Sequence, residues 1–276
     1  MDFLLSNGVR IPSPGFGTWS IPKWHAGEII RDALNAGYRH IDTASYYGNE
    51  TSIGMAIRDA SVPRSELFIT SKVWTDCRGY ENTIRSFENS ILKLVLDYLD
   101  LFLIYWPATP EKQEDWKILN AETWRGLESL YKNCKVRAIG VSNFQPVHLD
   151  ALMDTAEIAP MVNQIEFHPG FCQRECVDYC KARGIVLEAW SPLGRGEALS
   201  HPTILKLAGK YNMTAAQVCI RWAIQCGLLP LVKSSGLERM NENMKDTDPL
   251  SPDDVEVINA IPFFGRLGYS PETVKF

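Results

Sequence analysis

Four titratable side chains stand where apolar runs of this chain stop. Asp42 closes the run in YRHIDTA (38–44), and Tyr47 follows in the next loop. Lys72 lies near the end of LFITSKVW (67–74), and Tyr105 ends the apolar stretch of LDLFLIYWP (99–107). A free phenol has a pKa of about 10 and is a poor acid at neutral pH. An ammonium beside it favours the phenolate and lowers that value. A carboxylate paired with the lysine keeps the ammonium charged in a semi-buried place. Asp42, Lys72 and Tyr47 together would make a tuned acid–base phenol. Trp19, Trp74 and Trp106 fall at comparable places and would form an apolar mouth for a small organic ligand. Taken singly, each residue has a plainer reading: Asp42 as a turn former or helix cap, Lys72 as a solvated charge, Tyr47 as packing.

A second cluster suggests an anion site. VKSSGLER places Lys233, Ser234 and Ser235 at the end of an apolar run and Arg239 about one helical turn beyond. Lysine, hydroxyls and helix N–H groups bind phosphate, and an arginine clamps it with two hydrogen bonds. A capped helix start with surface cations is the plainer alternative.

Positioning these residues requires strands that end on one rim. Strand candidates fall at 12–17, 38–44, 67–74, 99–107, 136–144, 161–167, 185–193 and 228–235. Helical periodicity occupies 24–36, 48–58, 80–96, 115–133, 146–156, 172–183, 202–211 and 214–226. Strands alternating with helices imply parallel pairing, and runs apolar on both faces imply a sheet covered on both sides. Eight such units predict an α/β fold: one (β/α)8 TIM barrel spanning residues 1–276 as a single domain, with its chemistry at the C-terminal strand ends. An open doubly wound sheet is the alternative, but GFGTWS after the first strand lacks the third glycine of GxGxxG. FLLSNGVRIP reads as a hairpin turning at Asn7–Gly8 that would cap the barrel bottom.

The composition narrows the partners. The 276 residues are 45% hydrophobic and 22% charged with a net charge of −5, which argues for a globular chain without a basic nucleic-acid or membrane patch. MDFLLSNGVR is neither a signal peptide nor a span. Seven cysteines with no export signal predict reduced thiols and a cytoplasmic location. Cys172, Cys176 and Cys180 share an i, i+4, i+8 spacing, but without a CxxC pair or a histidine partner they read as buried helix residues, and no metal is expected.

In order, IDTASYYGNE, ITSKVW, LDLFLIYWP, IGVSNF, VNQIEFHP, WSPLGRG and VKSSGLERMNEN resemble the aldo-keto reductase superfamily over nearly the whole chain. That resemblance implies a (β/α)8 barrel reducing aldehydes or ketones with NADPH, without metal or flavin, as a monomer acting on a small carbonyl compound. It implies Tyr47 as proton donor, Lys72 lowering its pKa and Asp42 pairing with Lys72. Ser142, Asn143 and Gln164 resemble the residues that hold the nicotinamide carboxamide, and Trp190 stands where the family usually stacks a tyrosine on the ring. Thr18 joins the cofactor set, as do Ser191, Leu193 and Arg195 along the pyrophosphate. Lys233, Ser234 and Arg239 resemble the grip on the 2′-phosphate, and Glu242 and Asn243 would meet adenine. NADP(H) is therefore expected over NAD(H).

One position departs from the family pattern. Where the family usually has histidine before Trp-Pro, this chain has Tyr105, which places that phenol at the catalytic and substrate site. Three consequences stay open: carbonyl reduction with altered substrate choice, enone reduction, or NADPH binding with slow turnover in a regulatory role. His40 and His168 read as structural. The short tail FFGRLGYSPETVKF is expected to leave the pocket open on its side, favouring small aldehydes, dicarbonyls or keto-sugars.

Overall fold

The computed structural model describes residues 2–109 and 114–274. Its first three strands are β1 (Asp2–Leu4), β2 (Arg10–Pro12) and β3 (Gly15–Gly17); β1 and β2 pair antiparallel, with Phe3 opposite Ile11. The other strands are β4 (His40–Asp42), β5 (Phe68–Val73), β6 (Leu99–Ile104), β7 (Val136–Ser142), β8 (Val162–Glu166), β9 (Val186–Trp190) and β10 (Leu228–Val232). β3 to β10 close into a barrel in which every neighbouring pair is parallel, β10 returning to β3. The eight-stranded α/β barrel expected from the sequence is therefore present.

β5 and β6 are buried at every position although polar residues interrupt their apolar runs: Thr70, Ser71 and Lys72 in β5 and Asp100 in β6. Helices cover the outside: α1 (Lys23–Asn35), α2 (Glu50–Arg58), α3 (Tyr80–Leu94), α4 (Trp116–Lys132), α5 (Pro146–Met153), α6 (Arg174–Ala182), α7 (Pro202–Tyr211), α8 (Ala215–Gln225), α9 (Leu237–Met244) and α10 (Pro252–Asn259). α3 shows the logic: Thr83, Phe87, Ser90 and Leu94 recur at helical spacing and are buried. Val95, left-handed at φ 55°, ends it.

The hairpin sits at the N-terminal end of the barrel. Leu5 and Ile11 join the core, and Asn7 Nδ2 donates to the carbonyl of Arg137, near the start of β7, at 2.9 Å. The residue pattern predicts a strand through 12–17. Instead Pro12 ends β2 and the barrel strand begins only at Gly15. At that glycine a Cβ would meet Leu231 and the His40 ring at 2.5 and 2.6 Å, so the close approach of β3 to its neighbours requires glycine. The helix read from 172 starts at Arg174, which leaves Cys172 outside it. All seven cysteines are free. Among the described residues no helix is long and apolar enough to cross a membrane.

Candidate active site

The barrel brings the four titratable residues together. Asp42 is the last residue of β4, Lys72 the penultimate residue of β5, and Tyr105 lies one step past β6, its N–H bonded to the carbonyl of Val73 at 3.1 Å. Tyr47 ends a short 3₁₀ turn after β4. Lys72 is fully buried. Its Nζ donates to both Asp42 oxygens at 2.7 and 2.8 Å and to the carbonyl of Thr43 at 2.9 Å. Three acceptors saturate the three ammonium donors, so Lys72 acts on the phenols through space. Its Nζ stands 5.3 Å from the ring centroids of both Tyr47 and Tyr105.

The two phenols meet directly. Tyr47 Oη and Tyr105 Oη are 2.8 Å apart, and either can donate to the other. Trp74 lies edge-on to Tyr105 at 5.2 Å and stacks on Tyr46 at 3.7 Å, while Trp106 runs beside Tyr105 at 6.5 Å. In this arrangement the Tyr47 pKa is raised, not lowered: burial is the main cause, followed by Tyr105 and the Asp42 charge. Burial also raises Tyr105, partly offset by its hydrogen bond to Tyr47. Both phenols are neutral acids, and the lysine's donors are spent on Asp42 and Thr43 rather than on a phenolate.

A cavity of about 1040 Å³ runs from this group along the C-terminal rim. Trp19, Trp74, Tyr105 and Trp106 line it with Asn143, Gln164 and Trp190, as do Lys233, Ser234, Arg239, Glu242 and Asn243. Ser191, Leu193 and Arg195 lie on the wall between β9 and α7, with the Arg195 guanidinium 4.6 Å over the Trp19 ring. Asn143 Nδ2 donates to the carbonyl of Tyr105 at 3.0 Å, and Trp190 Nε1 donates to Asn143 Oδ1 at 2.8 Å. Ser234 Oγ accepts from Gly236 N and from Arg239 Nε, fixing the start of α9.

Two predicted cofactor residues lie behind the wall. Thr18 is fully buried and donates to the carbonyl of Asp42 at 2.9 Å, which makes it a brace for the strand end. Ser142 donates to the carbonyl of Gln164 at 2.8 Å and accepts from Asn143. The histidines are internal. His40 bonds Thr70 Oγ1 at 3.1 Å, and burial and the Lys72 charge push its pKa down to about 3. His168 bonds Glu166 Oε1 at 3.2 Å and stacks on Phe264.

The tail contributes to the cavity wall. Leu267, Gly268 and Tyr269 line it, Leu267 N donates to Glu166 Oε1 at 2.6 Å, and Tyr269 meets Trp106 edge-on at 6.3 Å. The tail is short, but its backbone is tied to β8, and a sequence separation of a hundred residues hides that tie. Local residue pattern does not single out Tyr46 or Glu188 as site residues. Glu188 had left a signal, a carboxylate in the middle of the apolar run IVLEAW.

Residues 14–262 match the sequence profile of the Aldo/keto reductase family. The chain belongs to the aldo/keto reductase family. As a member it is an oxidoreductase, and its barrel is the fold of its relatives. It is 47% identical to the glyoxal reductase of Bacillus subtilis, with 99% of this chain and 96% of that protein aligned. It is 43% identical to the 9,11-endoperoxide prostaglandin H2 reductase of Trypanosoma cruzi, over 97% of this chain and 94% of that one. Among solved structures, a mutant of Gox0644 in complex with NADPH superimposes with a TM-score of 0.92 at 38% identity, covering 100% of this chain and 99% of that one. An aldo-keto reductase of Bombyx mori in complex with NADP gives 0.88 at 32% identity, over 96% and 94%.

Proposed function

We propose that this aldo/keto reductase uses NADP(H) to reduce a small aldehyde, ketone or dicarbonyl to the alcohol, with Tyr47 as the proton donor. The observation that carries this reading is the pair of neutral phenols facing the cavity beside the buried Lys72–Asp42 ion pair. The cavity suits the cofactor: its lining combines an indole and amides with two cations and a hydroxyl.

When bound, the nicotinamide supplies the hydride that goes to the carbonyl carbon. Tyr47 gives its proton to the carbonyl oxygen, and the phenolate left behind lies in the field of the Lys72 ammonium. Tyr105 donates a hydrogen bond to the same carbonyl oxygen as charge develops there. Trp19, Trp74 and Trp106 hold the substrate and exclude water. Asn143 and Gln164, backed by Ser142, would hold the carboxamide, and Trp190 would offer its flat face to the ring. Thr18 supports this end through Asp42. Ser191, Leu193 and Arg195 would hold the pyrophosphate, Lys233, Ser234 and Arg239 the 2′-phosphate, and Glu242 and Asn243 the adenine. The tail contacts at Leu267 and Tyr269 favour compact substrates, and the glyoxal reductase relative points the same way.

The deciding experiment is NADPH consumption against aldehydes, ketones, dicarbonyls and enones with products identified and Tyr47→Phe as control. Alcohol products that vanish in the control support the reading. Saturated ketones from the enones would mean that Tyr105 redirects the hydride, and tight NADPH binding without any product would favour a regulatory protein.

Two further outcomes are expected. Tyr105→Phe should lower kcat on the best carbonyl substrate about 10²-fold with NADPH affinity unchanged, the scale of losing one donor to a developing oxyanion. An unchanged kcat would remove that role. Arg239→Ala should weaken NADPH binding about 10- to 100-fold and leave NADH nearly unaffected, since only NADPH carries the 2′-phosphate for a charge-assisted pair worth about 1.5–3 kcal/mol. Fluorescence titration with both nucleotides reads the difference.

A further inference from the structure

Beneath the cavity lies a carboxyl group that the reduction itself does not use. Glu188, in the middle of β9, is fully buried inside the barrel. Its Oε2 accepts from Gln164 Nε2 at 2.8 Å, and the same nitrogen donates to Asp42 Oδ2 at 2.9 Å. Both amide hydrogens of Gln164 thus go to carboxyl groups below it. That leaves its Oε1 as the side-chain atom facing the cavity, a pure acceptor.

The surroundings fix the charge state of Glu188. The ionisable groups facing it are His40 and Asp42 from β4 and Lys72 from β5. Lys72 gives its donors to Asp42 and Thr43, His40 Nε2 is 3.9 Å from Glu188 Oε1, and no hydrogen bond reaches that oxygen. A second buried anion beside Asp42 has no cation of its own to pair with. Burial and the Asp42 charge accordingly push the Glu188 pKa up to about 8. Glu188 is thus mainly protonated at neutral pH, and its Oε2 accepts from Gln164.

We infer that Glu188 is a positioning residue that, together with Asp42, locks the Gln164 amide with its carbonyl toward the cavity, so that the site selects a nicotinamide whose 3-substituent can donate an N–H. The inference rests on the cofactor reading above. It predicts discrimination between NADP⁺, which carries a carboxamide NH₂, and its 3-acetylpyridine analogue, which carries a methyl ketone. A lone amide with a free choice of orientation would turn its NH₂ to the ketone and bind both alike.

The test is a pair of dissociation constants, for NADP⁺ and for the 3-acetylpyridine analogue, measured by fluorescence titration at pH 7. The unaltered protein should prefer NADP⁺ by about 10-fold, one hydrogen bond gained against one acceptor left unpaired. Glu188→Leu should bring the two constants within about 2-fold of each other. Glu188→Thr, too short to reach Gln164, makes the same comparison if the leucine is not accommodated. Glu188→Gln, a neutral group of the same shape, should restore the preference, which a merely structural loss would not do. Preference retained in both Leu and Thr variants overturns the inference, and so does its loss in Glu188→Gln, which would mean that a charge is needed. If the unaltered protein binds neither nucleotide, the cofactor reading fails first and this inference falls with it.

Discussion

Tyr47→Phe is expected to lower kcat for carbonyl reduction by about 10³- to 10⁴-fold, the upper part of the range for removing a positioned general acid, with NADPH affinity within 2-fold of the unaltered protein. The ring stays and only the hydroxyl goes, so the aromatic packing is retained. Tyr105, 2.8 Å away, is the nearest replacement acid. It is also held neutral by burial, and its geometry serves the oxyanion rather than the proton transfer, so rescue should be incomplete. The pH dependence follows from the raised Tyr47 pKa. The acid form is the active one in reduction. It persists below the raised value and is lost only as pH climbs through it, so Tyr47 should impose no alkaline loss below the ordinary phenol value of about 10. Alcohol oxidation needs the phenolate and should accelerate with pH across the same range. A reduction rate that falls between pH 7 and 9 in step with ionisation of Tyr47 would show that the bound cofactor lowers this phenol substantially. Stopped-flow measurement of the hydride step at several pH values, in both directions, distinguishes the two.

The residues that a reader of the sequence can place are those whose position depends on local pattern. β6 is apolar but for Asp100 and β5 opens on an apolar pair, so their ends, and with them Lys72 and Tyr105, are visible before any fold is known. The pairing of Lys72 with Asp42 follows from parallel order alone, because neighbouring strands end on the same rim. What local pattern cannot supply is competition among partners. The sequence offers Lys72 to Tyr47, but three acceptors from Asp42 and Thr43 claim its donors, while burial, with Tyr105 and the Asp42 charge, pushes the phenol's pKa up. The same holds for Thr18: its type suits cofactor contact, yet its hydroxyl is claimed by the carbonyl of Asp42. The tail contact from Leu267 to Glu166 and the bridge from Gln164 to Glu188 are long-range and made by single atoms, so no periodicity announces them.

Lys72→Met is expected to destabilise the protein by about 3–5 kcal/mol, the cost of leaving a buried anion without its partner. Methionine matches the length of the stem, so the loss falls on Asp42. That carboxylate keeps the Gln164 hydrogen bond but loses the ammonium at 2.7 Å. Guanidinium unfolding, with the midpoint and slope compared to the unaltered protein, measures this. Stability and catalysis then separate in a second variant. Asp42→Asn with Lys72→Met removes both charges and should recover most of the lost stability, since a buried pair replaced by neutral groups is often nearly neutral for folding. Its kcat should remain about 10- to 100-fold down, because the phenolate formed at Tyr47 no longer has a cation nearby, and an opposite charge within a few ångströms moves a pKa by about 1–3 units. If the double variant regained full activity along with its stability, the ion pair would be scaffolding, and the two phenols would carry the proton chemistry without it.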